Sequence, residues 1–255
     1  TIDVKAPIDW AVISNMPEAR VDNIDSGKHV HFQTSVKMST YLMHLSAGPY
    51  SMWQDNSGPY PMKLYARKSL AQYVDPERMF ETTKKGFEFF EEYYDFKYPF
   101  VKYDQIFVPE FNAGAMENAG AVTFTESYVY RNPPTESALY GRDVTILHEM
   151  AHMWFGDIVT MQWWDDLWLN ESFADFMGYQ GLEGIGYDKA WERASRRKGW
   201  AYSEDQMLTT HPIIGEVKDS LAAESIFDGI TYAKGLAALR QLQYTLGPDT
   251  FRDGI

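Results

Sequence analysis

Two of the six histidines lie four residues apart in His148-Glu149-Met150-Ala151-His152. In a helix, positions i and i+4 share one face with Cβ atoms about 5–6 Å apart. Two imidazoles so placed can ligate one divalent ion, and such an ion activates water for hydrolysis. The alternative is an ordinary helix carrying two surface histidines and a glutamate. A catalytic zinc wants three protein ligands and an open fourth position. Glu171 is the natural third, with eighteen residues between it and His152. It stands among Trp168, Leu169, Phe173, Phe176 and Met177, where a carboxylate is costly to bury unless paired or metal-bound. Failing that, it would be a solvated side chain on a polar helix face.

The elements that must carry these residues are readable from periodicity. Val144, Leu147, Ala151 and Trp154 give the first helix an apolar stripe, and Gly156 suits its stop. An extended piece, 158–164, leads to a second helix predicted over 167–180, with Asp165 and Asp166 placed to cap it. Upstream, 1–45 reads as strands: Val30, Phe32, Thr34 and Val36 alternate with polar neighbours, and 41–45 is a further short apolar run. Met62, Leu64 and Ala66 resume the alternation. Asp75-Pro76-Glu77 opens a helix. Met79, Phe80, Thr83, Phe87, Phe90 and Tyr94 form its core stripe, and Pro99 is expected to end it. Strands are expected over 105–111 and 121–125, joined by a loop containing Gly114 and Gly120, with mostly helix from Ser137 on. Strands first and helices after indicate an α+β fold.

Composition excludes several function classes. The net charge of −13 disfavours nucleic acid or anionic lipid as a main partner. The short basic cluster Arg193, Arg196, Arg197 and Lys198 reads as a solvated helix face. The absence of cysteine removes disulfides, thiolate nucleophiles and Cys-ligated zinc. No apolar run approaches the ~18 residues that span a bilayer, and no signal peptide is visible. These features together favour a cytoplasmic protein. The start at Thr1 rather than Met suggests a piece of a longer chain. Asn170-Glu171-Ser172 matches a glycosylation sequon by accident, given the ligand beside it. Gly184-Ile185-Gly186 does not complete a dinucleotide fingerprint. Trp163, Trp164 and Trp168 are read as core.

The set His148-Glu149-x-x-His152 with Glu171 in Trp168-Leu169-Asn170-Glu171-Ser172-Phe173-Ala174 resembles the aminopeptidase N family of zinc metallopeptidases, within the gluzincin group. Gly114-Ala115-Met116-Glu117-Asn118 is similar to that family's G-x-M-E-N signature, and Ile230-Thr231-Tyr232-Ala233-Lys234-Gly235 to the segment bearing its catalytic tyrosine. The resemblance covers nearly the whole chain, with the motifs in the family's order. It implies one zinc per chain on His148, His152 and Glu171, with Glu149 as general base and Tyr232 as oxyanion donor. It also implies that Glu117 holds the free ammonium of a peptide substrate, while Gly114, Ala115, Met116 and Asn118 line its path. Residues 1–45 then correspond to the last strands of an N-terminal β domain, and 46–255 to a thermolysin-like catalytic domain. The flanking parts, including a further Gln or Glu near the amine and a C-terminal helical domain, are expected to lie outside this chain. Asp175, four residues after Glu171, either orients a zinc histidine or sits on the helix surface, and Asp157 is an equal candidate. Altered gluzincin chemistry (an epoxide hydrolase or endopeptidase) and a silent binding homologue are the competing readings.

Overall fold

Alternating apolar residues in the first third of the chain become paired strands in the computed structural model, which describes residues 1–255. The strands are β1 (Asp3–Ala6), β2 (Ala11–Ser14), β3 (Glu18–Ile24), β4 (Gly27–Phe32), β5 (Leu45–Gly48), β6 (Tyr50–Asp55), β7 (Met62–Arg67), β8 (Tyr103–Val108), β9 (Ala115–Met116) and β10 (Ala121–Thr125). The helices are α1 (Pro76–Tyr94), α2 (Glu136–His152), α3 (Leu167–Gly184), α4 (Ala190–Ala194), α5 (Arg197–Asp205), α6 (Ser220–Ala223), α7 (Gly235–Leu246) and α8 (Pro248–Asp253). The expected mixed α+β class holds. The chain forms two compact units, one of Thr1–Lys84 with Pro99–Arg142, the other of Lys85–Tyr98 with Asp143–Ile255. No helix is long and apolar enough to cross a membrane.

The first unit holds every sheet: β1-β4-β3, β2-β5, and a five-stranded β6-β7-β8-β10-β9. In the last, β7, β8 and β10 run parallel, while β6 and β9 are antiparallel to their neighbours. Ala6, Val12, Val30 and Phe32 form one apolar cluster, and Ile13, Tyr65, Ile106 and Ala121 another. Three sequence expectations shift. Strand β4 ends at Phe32, leaving Thr34 outside any strand and Val36 exposed. Residues 40–42 form a tight turn before β5 instead of a strand. Asp75 does cap α1, accepting from Arg78 N at 3.3 Å. That helix, however, stops at Tyr94, where Asp95 turns to a φ of 49°, ahead of Pro99.

The second unit is helical. Helix α3 is buried on most of its circumference, from Leu167 to Leu182, and packs against α4 and α7. Gly178 brings it onto α2: a Cβ there would lie 3.3 Å from both His148 N and Val144 O. Asp165 and Asp166 do not cap α3. Asp165 Oδ1 accepts from Val217 N at 2.6 Å, and Asp166 Oδ1 accepts from the Trp168 indole at 3.2 Å. The reading of Trp163 as core also fails. It is 47% exposed, with its indole N–H donated to the Val217 carbonyl.

Candidate metal centre

Helix α2 ends on His152, so both histidines occupy its last turns, their ring centroids 4.8 Å apart. The stop is made by Gly156, whose φ of 134° favours glycine. The tight turn lets His152 Nδ1 donate to the Phe155 carbonyl at 3.0 Å. His148 Nδ1 faces Asp175 Oδ1 at 3.1 Å. A proton held on each Nδ1 leaves each Nε2 as a lone pair. Those two Nε2 atoms are 3.1 Å apart, and each lies 3.4 Å from Glu171 Oε2.

Two lone pairs and a carboxylate oxygen this close repel unless a positive charge lies among them. Glu171 is buried, and its Oε2 accepts no hydrogen bond. A triangle with these edges has a centre about 1.9 Å from each corner, so a point just out of its plane meets the roughly 2.0–2.1 Å bond length of zinc. The donor set and spacing therefore fit one divalent cation. Burial works against charge on His148, but the neighbouring Asp175 and Glu171 carboxylates prevail and hold it up to about 9, so a metal ion entering there displaces the proton from Nε2. Glu171 is pulled below the usual carboxylate range: burial opposes this, and the two histidines outweigh it. The surface-histidine and solvated-glutamate alternatives are overturned.

Asp175 is likewise buried, and the helix-surface alternative falls with it. Its Oδ2 accepts from Arg197 Nη2 at 2.5 Å and from Nε at 3.1 Å. Burial favours the acid form, yet Arg197 and His148 together keep its pKa lowered. Arg197 is thus removed from the solvated face on which the basic cluster was placed. The sequence signal was present, since a carboxylate buried behind a histidine needs a cation, but the pairing spans 22 residues and two helices.

Glu149 is buried, with Oε1 4.0 Å from His148 Nε2. Tyr232 lies on a π-helical turn, Ile230–Lys234, with its ring 6.0 Å from that of His148 and nearly parallel to it, at 18°. Trp200 and Phe227 flank the phenol ring at 6.0 and 6.4 Å. The structure therefore gathers His148, His152, Glu171, Glu149 and Tyr232. Asp157 is buried just past α2, with its backbone N–H donated to the His152 carbonyl at 2.9 Å.

In the first unit, Ala115 and Met116 form β9, the edge strand beside β10. Gly114 O accepts from Thr125 N at 2.9 Å, and Glu117 and Asn118 are buried. Asn118 Oδ1 accepts from Thr123 Oγ1 at 2.8 Å, and Thr123 Oγ1 lies 3.1 Å from His44 Nδ1. Because the threonine proton goes to Asn118, His44 donates to Thr123 from Nδ1. Burial first, and Lys102 second, push His44 down to about 4, so it is neutral. His44 had no place in the sequence reading.

Residues 78–255 match the family model described as the Peptidase family M1 domain. The chain belongs to peptidase family M1. It is 46% identical to aminopeptidase N of Streptomyces lividans over 99% of this chain and 30% of that protein. It is 39% identical to tricorn protease-interacting factor F2 of Thermoplasma acidophilum, over 97% and 31%. This M1 chain is also 34% identical to glutamyl aminopeptidase of Sus scrofa, over 100% and 27%. The chain thus spans about 30% of the first two relatives' length.

Proposed function

We propose that the protein is a zinc-dependent aminopeptidase that hydrolyses the first peptide bond of peptides with a free N-terminus. The observation that carries this is the meeting of His148 Nε2, His152 Nε2 and Glu171 Oε2 around one point. One zinc per chain bound there supplies a Lewis acid and lowers the pKa of water toward about 7. Glu149 takes the proton of the attacking water and delivers it to the leaving amine. The Tyr232 hydroxyl donates to the carbonyl oxygen as negative charge develops, and a phenol, which ordinarily ionises near about pH 10, stays a donor at neutral pH. Glu117 pairs with the substrate's α-ammonium, which fixes the count of one residue from the N-terminus. The open edge of β9, with Gly114 to Met116 and Asn118, pairs with the extended peptide. The names of two of these relatives, aminopeptidase N and glutamyl aminopeptidase, support this substrate class.

On the same reading, 46–255 is a thermolysin-like catalytic domain and 1–45 the end of a β domain. The β1-β4-β3 sheet, contained within residues 3–32, lies wholly before that boundary, while the β2-β5 pair crosses it. The test uses the full-length protein and its Glu149→Gln variant. Both should bind one zinc per chain, while the variant loses about 10²–10⁴-fold in kcat. Free peptides should be cleaved and N-acetylated ones spared. Normal turnover by the variant, or equal cleavage of both peptides, would contradict the reading.

A further inference from the structure

Ser172 follows the ligand Glu171 in the chain and is fully buried in α3. A helical serine commonly returns its hydroxyl to a carbonyl one turn earlier in its own helix. Here the hydroxyl leaves the helix and donates to the Thr231 carbonyl at 2.5 Å, the peptide unit that leads into Tyr232. The bond reaches a π-helical turn, a geometry that aims side chains where a regular helix would not. The start of the turn is held separately: Asp228 Oδ1 accepts from Ile230 N at 2.9 Å and from Thr231 N at 3.1 Å. Room for the bond is made by Gly235, where a Cβ would stand 1.7 Å from Ser172 Oγ. The hydroxyl, the missing Cβ and the π turn thus form one fitted contact between the stretch of chain bearing Glu171 and that bearing Tyr232.

We propose that Ser172 is a positioning residue for Tyr232, its hydroxyl fixing the turn so that the phenol stands at a set place beside the His148–His152–Glu171 centre. The proposal rests on the reading of Tyr232 as the oxyanion donor. It predicts that Ser172 matters to the transition state only through Tyr232.

The test is a double-mutant cycle of Ser172→Ala and Tyr232→Phe in the zinc-loaded full-length protein. It reads kcat, KM, zinc content and the dissociation constant of a phosphinic dipeptide, a mimic of the tetrahedral state. Ser172→Ala should keep one zinc and an unchanged KM. It should lower kcat and phosphinate affinity on the order of 10-fold, and in the Tyr232→Phe background change either by less than about 2-fold. Ser172→Gly, run alongside, removes the hydroxyl with no side chain to misplace and should give the same cycle. Additive losses, or full activity in both Ser172 variants while Tyr232→Phe is impaired, would overturn the positioning role alone. A fully active Tyr232→Phe would overturn the reading of the tyrosine and the proposal with it.

Discussion

A neutral imidazole offers a lone pair to a cation only when its other nitrogen keeps the proton, and Asp175 imposes this on His148 by accepting at 3.1 Å. Arg197 in turn keeps Asp175 ionised. We therefore expect Asp175→Asn to weaken zinc affinity by about 10–100-fold, measured by competition with a chelator of known affinity. Unchanged affinity would show that the carboxylate does not act on the ligand. At this scale the sequence was legible where chemistry is local. The approach of His148 and His152 is readable from type and spacing, because one helical turn sets the geometry of the pair, and Glu171 does meet them. The burial of Asp175 was not legible, since it depends on a guanidinium brought in by α5.

Helix α3 approaches α2 closely at Gly178, whose missing Cβ would press on the backbone at His148 and Val144. Backbone cannot swing aside as a side chain can, so an added methyl group separates the helices bearing His148 and Glu171. Gly178→Ala should lose about 1–3 kcal/mol of stability in denaturant unfolding and bind zinc more weakly in titration. Gly178→Val should do both to a greater degree. Wild-type binding by the valine variant would contradict the close crossing as a determinant of the centre. Apolar periodicity located α1, α2 and α3, and the flanking residues marked the starts of α1 and α3, but not the stop of α1. Tyr94 ends α1 on a left-handed Asp95, a backbone choice the apolar pattern does not encode. Nor does Ile230–Lys234 differ in pattern from an ordinary helix, because its widened turn comes from tertiary contacts such as the Ser172 bond.

For the molecule as a whole, acid stability is the readable consequence of its buried polar groups. His44 has a folded pKa near 4 against an ordinary 6.5. The unfolded chain therefore takes up the proton first. The associated stability is complete above pH 6.5 and is lost as the pH falls toward 4, by up to about 3 kcal/mol. His44→Asn, whose amide can replace the Nδ1–H donor to Thr123, should show a flatter decline in unfolding free energy between about pH 7 and 4. An identical slope would show that His44 does not drive the acid response. This network escaped sequence reasoning because it joins residues 79 apart through side chains with no distinctive spacing, whereas the α+β class followed from the order of period-two and period-3.6 segments. The three-residue metal centre can be read directly by X-ray absorption at the zinc edge on the full-length protein. One zinc is expected, with two imidazole nitrogens and carboxylate oxygen at about 2.0–2.2 Å, and a lost imidazole signal in His152→Ala. A shell without imidazole, or one unchanged by that substitution, would contradict it.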